Sequence, residues 1–310
     1  MSRAGDSVAV PAAAGDLDES QAQLGWAARE RRRPIIQAAA RRTLRRRRLA
    51  GKLVQALCVL CAAIGLAPLV ALVYYTADRG LPGISLSFLT NAPVPEGVPG
   101  GGISTAIAGS AEIVGLALVM AIPVGLLAAL FLHERRGRLA AGIRFGADML
   151  TGVPSIVIGI FAYALLVRPL HHFSDLAASF ALAVLMLPIM IRADEEAMRT
   201  VAMDLWEAGV ALGARRSRVA RSVVLRGALP GLVTGNLLAV SRGVGETAPL
   251  LFTVAAPSFA MTLLIYTDGT QPFPSDQQTA WATALVLLMF VLILSGLARV
   301  VAWRLTRRAR

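Results

Sequence analysis

The stretch ISTAIAGSAEIVGLALVMAIPVGLLAALFL, residues 103–132, contains a single ionisable side chain, Glu112. A helix of about 20 apolar residues, rising 1.5 Å per residue, crosses the roughly 30 Å hydrocarbon core of a bilayer, so this run spans with residues to spare. Working outward, further apolar runs lie at about Leu53 to Thr76, Ile143 to Val167, Leu176 to Ile191, Leu229 to Ala256 and Thr279 to Trp303. Six membrane helices are expected. The composition agrees: 56% of the 310 residues are hydrophobic and only 16% are charged, too apolar for an ordinary soluble domain. The expected fold class is all-α, a polytopic transmembrane helical bundle.

The formal net charge of +12 raises the question of nucleic acid, but the cations are spread between apolar runs, without the interleaved aromatics that stack on bases. They read instead as a topology signal. Arginine is abundant before Leu53, from His133 to Arg144, from Arg192 to Arg226 and after Trp303, whereas the alternate connections carry only Arg79 and Arg168. Positive loops stay in the cytoplasm, so both termini are expected there. Residues 1–50, with the dense run Arg41 to Arg48, read as a disordered basic cytoplasmic tail beside anionic lipid, and 51–310 as the membrane domain. The first span starts too late for a cleaved signal peptide and is expected to remain as an anchor.

Cys58 and Cys61 share one apolar run and are expected to pack rather than bind zinc or pair. His171 and His172 beside Asp175 lack a third spaced ligand, so no metal site is expected. Residues 91–102, rich in Pro and Gly, read as an external loop.

Charges inside spans are costly and mark function. Three stand out: Glu112, Arg242 and Glu246. Arg242 and Glu246 are spaced to pair on one helical face, which also carries the small residues Gly235 and Ala239. Counting from Leu229, Arg242 lies roughly 20 Å from the cytoplasmic side, at a depth that overlaps Glu112 counted from the external side. Arginine offers a planar fork of donors suited to an oxyanion, and a neighbouring carboxylate holds it and prevents it from trapping the anion. A structural ion pair that only fixes helix register is the alternative. Pro154 is expected to kink the third span and Pro249 the fifth, with the Ser155 hydroxyl free to donate to a passing oxygen.

The connection 192–228 has helical spacing at Val201, Leu205, Ala208 and Leu212. Its run Glu207-Ala208-Gly209-Val210-Ala211-Leu212-Gly213, followed by Val223-Val224-Leu225, resembles the loop by which permeases of ABC importers dock on their ATPase. Gly209 stands where that pattern has Ala, and Arg226 where it has Pro. An amphipathic helix lying on the membrane, with Arg215, Arg216, Arg218 and Arg221 on headgroups, is the alternative. The string Ser241-Arg242-Gly243-Val244-Gly245-Glu246-Thr247-Ala248-Pro249 is similar to the Arg-x-x-Gly-Glu-Thr-Ala-Pro segment of PstA permeases of phosphate importers. Gly152-Val153-Pro154-Ser155 is similar to a segment of both phosphate permease subunits.

The resemblance implies a type I ABC importer permease fold and a subunit of an ATP-driven phosphate importer in a bacterial inner membrane. Its implied substrate path holds Arg242, Glu246, Thr247, Ser155 and Glu112, and its ATPase coupling residues are Glu207, Ala208, Gly209 and Gly213. Implied partners are a second homologous permease, an ATPase subunit dimer, an extracytoplasmic phosphate-binding protein and membrane lipid. The chain has no Gly-x4-Gly-Lys-Ser/Thr loop, so no catalytic role is expected and ATP and Mg are assigned to the partner ATPase. Rival readings are an importer of another oxyanion, such as molybdate or phosphonate, a proton-coupled secondary carrier working through Glu112 or Glu246, and a membrane scaffold that senses phosphate scarcity.

Overall fold

The computed structural model describes Arg47 and residues 50–308; the expected tail, 1–50, lies outside the described residues except for Arg47 and Ala50. The chain divides into two compact units, one ending at Leu72 and the other Val73–Arg310. Most of α1 (Ala50–Gly83), an apolar helix long enough to cross a bilayer, belongs to the first.

In the second unit a short helix α2 (Leu86–Thr90) precedes α3 (Ser104–Glu134), α4 (Arg138–Thr151), α5 (Ser155–Leu170), α6 (Asp175–Arg199) and α7 (Met203–Ala211). Then come α8 (Arg216–Val244), α9 (Met261–Thr270) and α10 (Pro274–Arg308), with no strand among the described residues. Helices α1, α3, α6, α8 and α10 are each long and apolar enough to span, and α4 with α5 supplies a sixth crossing if that pair is one broken span.

Two spans differ from expectation. The third, expected from Ile143 to Val167, is broken: α4 and α5 are bent by 103°. Pro154, extended at ψ 135°, caps α5 and lacks the N–H that would continue α4, while Val153 before it is disfavoured in helical geometry. The expected kink is a right-angled break. The fifth span, expected to reach Ala256, ends at Val244. Gly245 and Pro249 follow closely, and residues 245–260 form turns, including Leu250–Phe252 and Pro257–Phe259, rather than continuing the helix. Proline alone does not explain these breaks, because Pro123, Pro188 and Pro230 lie inside α3, α6 and α8 without ending them. Glycine beside a proline does not explain them either, since Gly125 and Gly231 follow Pro123 and Pro230 inside unbroken helices; the difference lies in the packing of the backbone that follows. The connection expected across 192–228 is also shorter, since α6 continues to Arg199 and α8 starts at Arg216.

The core is built around α6, which packs most extensively on α3 and α8. Small residues let the backbones close. An ideal Cβ on Gly125 of α3 would lie 3.1 Å from Met190 Cβ, and on α8 those of Gly231 and Gly235 would lie 2.7 and 2.6 Å from Ala197 and Ala193 Cβ. Ile113, Leu182, Met186, Met190 and Val240 fill one continuous apolar cluster.

Candidate functional site

The turns at 245–260 are unwound backbone continuing from a membrane span, tolerated only where protein or a polar cavity satisfies it. Here the satisfaction is specific. Ser110 Oγ of α3 accepts from Met261 N at 2.8 Å, and Thr105 Oγ1 donates to Ser258 O at 3.0 Å. Thr262 Oγ1 of α9 donates to Glu246 O at 3.3 Å. Two glycines seat the segment: a Cβ on Gly159 of α5 would stand 2.6 Å from Pro249 Cα, and one on Gly109 of α3 only 2.2 Å from Phe259 O. The two motifs singled out in the sequence, around Pro154 and around Pro249, therefore touch.

Arg242 lies in the last turn of α8 and Glu246 just past its end. They do not share a helical face as expected, yet they pair, because the turn bonds Gly245 N→Arg242 O (3.1 Å) and Glu246 N→Gly243 O (3.2 Å) wind the chain back. Arg242 Nε stands 3.7 Å from Glu246 Oε1, an ion pair beyond hydrogen-bond length, with the arginine side chain 57% exposed and the glutamate 19%. The guanidinium is held and not saturated. The Thr247 hydroxyl and the N–H groups of Thr247 and Ala248 carry no hydrogen bond among the described residues, and neither does the hydroxyl of half-buried Ser155. Arg242, Glu246 and Thr247 are thus gathered by the turn, with Ser155 on the helix packed against it. Glu112, whose depth from sequence overlaps that of Arg242, is exposed on α3 and forms no ion pair among the described residues.

At the opposite end of α8, α7 and the start of α8 make a compact knob. Gly213 between them has φ +82°, a left-handed conformation that side chains resist. A Cβ on Gly209 would sit 3.0 and 3.1 Å from the two Cγ atoms of buried Val219, so glycine is the fitting residue where the motif has alanine. Glu207 and Ala208 are exposed. The apolar face predicted there points outward, with Leu205 55% and Leu212 89% exposed, whereas Trp206 turns in, edge-on to His133 at 6.2 Å between ring centres.

An ion cluster near the same end was not singled out from sequence. Glu195, 3% exposed, meets Arg144 at 2.7 Å, Arg199 at 2.8 Å and Arg192 at 3.4 Å. Arg144 also donates to Leu132 O at 2.9 Å, and Arg192 bridges to Asp148. This clamp ties α3 and α4 to α6. The i,i+4 spacing of Glu195 and Arg199 is the signal the sequence offers for it.

Asp276 accepts from Gly97 N with both oxygens, at 3.2 and 3.0 Å, docking loop 91–102 on α10. Burial, and then the negative charges of Asp276 and Glu96, push the Asp268 carboxyl up to about 6.

The family model for the binding-protein-dependent transport system inner membrane component matches residues 121–307. Among curated relatives, the phosphate transport system permease protein PstA of Yersinia pestis is 39% identical over 249 residues, covering 76% of this chain and 84% of that protein. PstA of Haemophilus influenzae is 36% identical, with 82% and 94% covered, and PstA 1 of Mycobacterium tuberculosis H37Rv is 35% identical, with 80% and 85% covered. Among solved structures, a chain of the inward-facing MetNI methionine ABC transporter matches with TM-score 0.56 and 20% identity, over 66% of this chain and 94% of that one. A chain of a bacterial ABC transporter that imports the acidic polysaccharide alginate matches with TM-score 0.51 and 15% identity, over 80% and 95%.

Proposed function

The chain belongs to the family of binding-protein-dependent transport system inner membrane components, and from that premise we propose that it is the permease subunit of an ATP-driven phosphate importer. One observation carries the substrate: kinship with PstA proteins coincides with an arginine held but unsaturated where α8 unwinds. A guanidinium offers up to five N–H donors and stays charged at any physiological pH, so it lowers the barrier to a phosphate oxyanion in a narrow path. Glu246 keeps the arginine in place and competes for it, so the anion is passed on rather than trapped. Thr247 and Ser155 supply neutral donors beside it.

Energy enters at the other end of α8. The knob around Glu207, Ala208, Gly209 and Gly213 docks in the ATPase subunit, whose dimer binds ATP and Mg; this chain performs no catalysis. A second homologous permease completes the path, and an extracytoplasmic phosphate-binding protein delivers the ion. Both termini face the cytoplasm. Closure of the ATPases pushes the knobs and rocks the permease pair to alternate access.

Reconstitution tests the reading. Phosphate uptake by the assembled complex should require ATP and this subunit and should survive an uncoupler. Uptake driven by a pH gradient alone would establish a proton-coupled carrier instead, and molybdate or phosphonate outcompeting phosphate would reassign the substrate.

A further inference from the structure

The crossing of α6 and α8 holds a polar pair that the transport reading does not use. Asp194 of α6 is wholly buried. Its Oδ1 accepts from Asn236 Nδ2 of α8 at 2.7 Å, and the same Nδ2 donates its other hydrogen to Leu232 O at 2.9 Å. Both neighbours of that nitrogen are acceptors, which fixes the orientation of the carboxamide. Two buried atoms are then left without a partner, Asp194 Oδ2 and Asn236 Oδ1, one from each member of the pair. No cation among the described residues compensates Asp194: Arg144, Arg192 and Arg199 are all engaged by the adjacent Glu195. Small residues on the same crossing, Ala193 against Gly235 and Ala197 against Gly231, press the two helices together.

A lone carboxylate out of water, with one neutral donor, is among the costliest arrangements in a protein interior. Both orphaned oxygens are acceptors, and a single hydrogen shared between them would satisfy the two at once. We propose that Asp194 carries its proton and closes a neutral two-bond ring with Asn236. Asp194 Oδ2–H donates to Asn236 Oδ1, while Asn236 Nδ2–H donates to Asp194 Oδ1. The ring is a positioning link. Asp194 stands about 7.5 Å of helix rise before α6 ends and the chain enters the knob, and Asn236 stands about 9 Å before Arg242 on α8. The link therefore joins the knob-bearing end of α6 to the helix that carries the arginine. The chemistry of the pair stands by itself; its consequence for uptake rests on the proposed function.

Infrared spectra of the assembled complex at neutral pH should show the carbonyl stretch of a protonated carboxyl. That band disappears in Asp194→Asn and moves to higher frequency in Asn236→Leu, which removes its acceptor. The carboxamide of Asp194→Asn still pairs through two bonds, so ATP-driven uptake stays within about threefold of wild type, whereas Asp194→Ala loses both bonds and falls by about tenfold or more. A wild-type spectrum with no protonated-carboxyl band that Asp194→Asn removes overturns the proposal, whether water or a cation then fills the gap. Collapse of uptake in Asp194→Asn to the level of Asp194→Ala overturns it too. A complex with the band but without phosphate uptake would leave the ring in place and sink the transport reading instead.

Discussion

Replacing Gly159 by alanine places one methyl where the unwound segment meets α5. The new Cβ falls 2.6 Å from Pro249 Cα and 3.0 Å from Pro249 O, against a comfortable carbon–carbon separation of about 3.5–4.0 Å. Backbone must therefore move by roughly 1 Å, and overpacking of this kind costs about 1–3 kcal/mol, a factor of roughly 5 to 150 in the population of the native arrangement. The displaced element is the turn that carries Glu246 and Thr247, so uptake should fall with stability. Gly142→Ala is the matched control: nothing lies within 4 Å of its added Cβ, and alanine in a helix interior gains about 0.5–1 kcal/mol over glycine. Thermal unfolding of the purified complex and uptake in proteoliposomes, both compared with wild type, give the answer. Gly159→Ala indistinguishable from Gly142→Ala in both assays would refute the claim that α5 seats the turn.

Other substitutions probe the remaining parts. Gly213→Asp forces a side chain into φ +82°, and Gly209→Val drives methyls into Val219; each should lower recovery of the ATPase in a pull-down, with equal recovery removing the docking claim. Glu195→Gln takes the counter-charge from Arg144 and leaves Arg192 only Asp148 and Arg199 only the distant Glu196, and should destabilise the complex by about 3 kcal/mol, the low end for breaking a buried ion pair. Asp268, pushed up to about 6, binds its proton more tightly folded than unfolded. Its contribution is thus fully present below the ordinary aspartate range and is lost as pH rises through about 6. Asp268→Asn should stabilise the complex at pH about 7 and change little at pH about 4; equal effects at both would contradict the assignment.

The membrane architecture was legible because hydrophobic run length reports directly on bilayer crossing, and α3 and α6 begin within a residue of where their apolar runs do. The breaks were less so. Pro154 and Pro249 were visible, but Pro123, Pro188 and Pro230 look alike on paper, and only packing shows which prolines end a helix: Gly159 and Gly109 draw neighbouring backbones against 245–260. The pairing of Arg242 with Glu246 was predicted from helical spacing, and the structure reaches it through a turn. Gly209 looked like a departure from a motif until Val219 was seen beneath it. The Glu195 clamp and the Asp194–Asn236 pair depend on which faces of α4, α6 and α8 meet, which linear spacing does not encode.

The central claim is that the guanidinium of Arg242 eases an oxyanion through the bundle. Radiolabelled phosphate uptake by the reconstituted complex, with Arg242→Gln and Glu246→Gln compared at matched membrane levels, tests it most directly. Loss of charge-assisted hydrogen bonds worth about 1.5–3 kcal/mol predicts a drop of roughly 10- to 150-fold for Arg242→Gln, with ATPase recovery unchanged. Wild-type uptake in both variants would leave the pair a structural clasp and contradict the account.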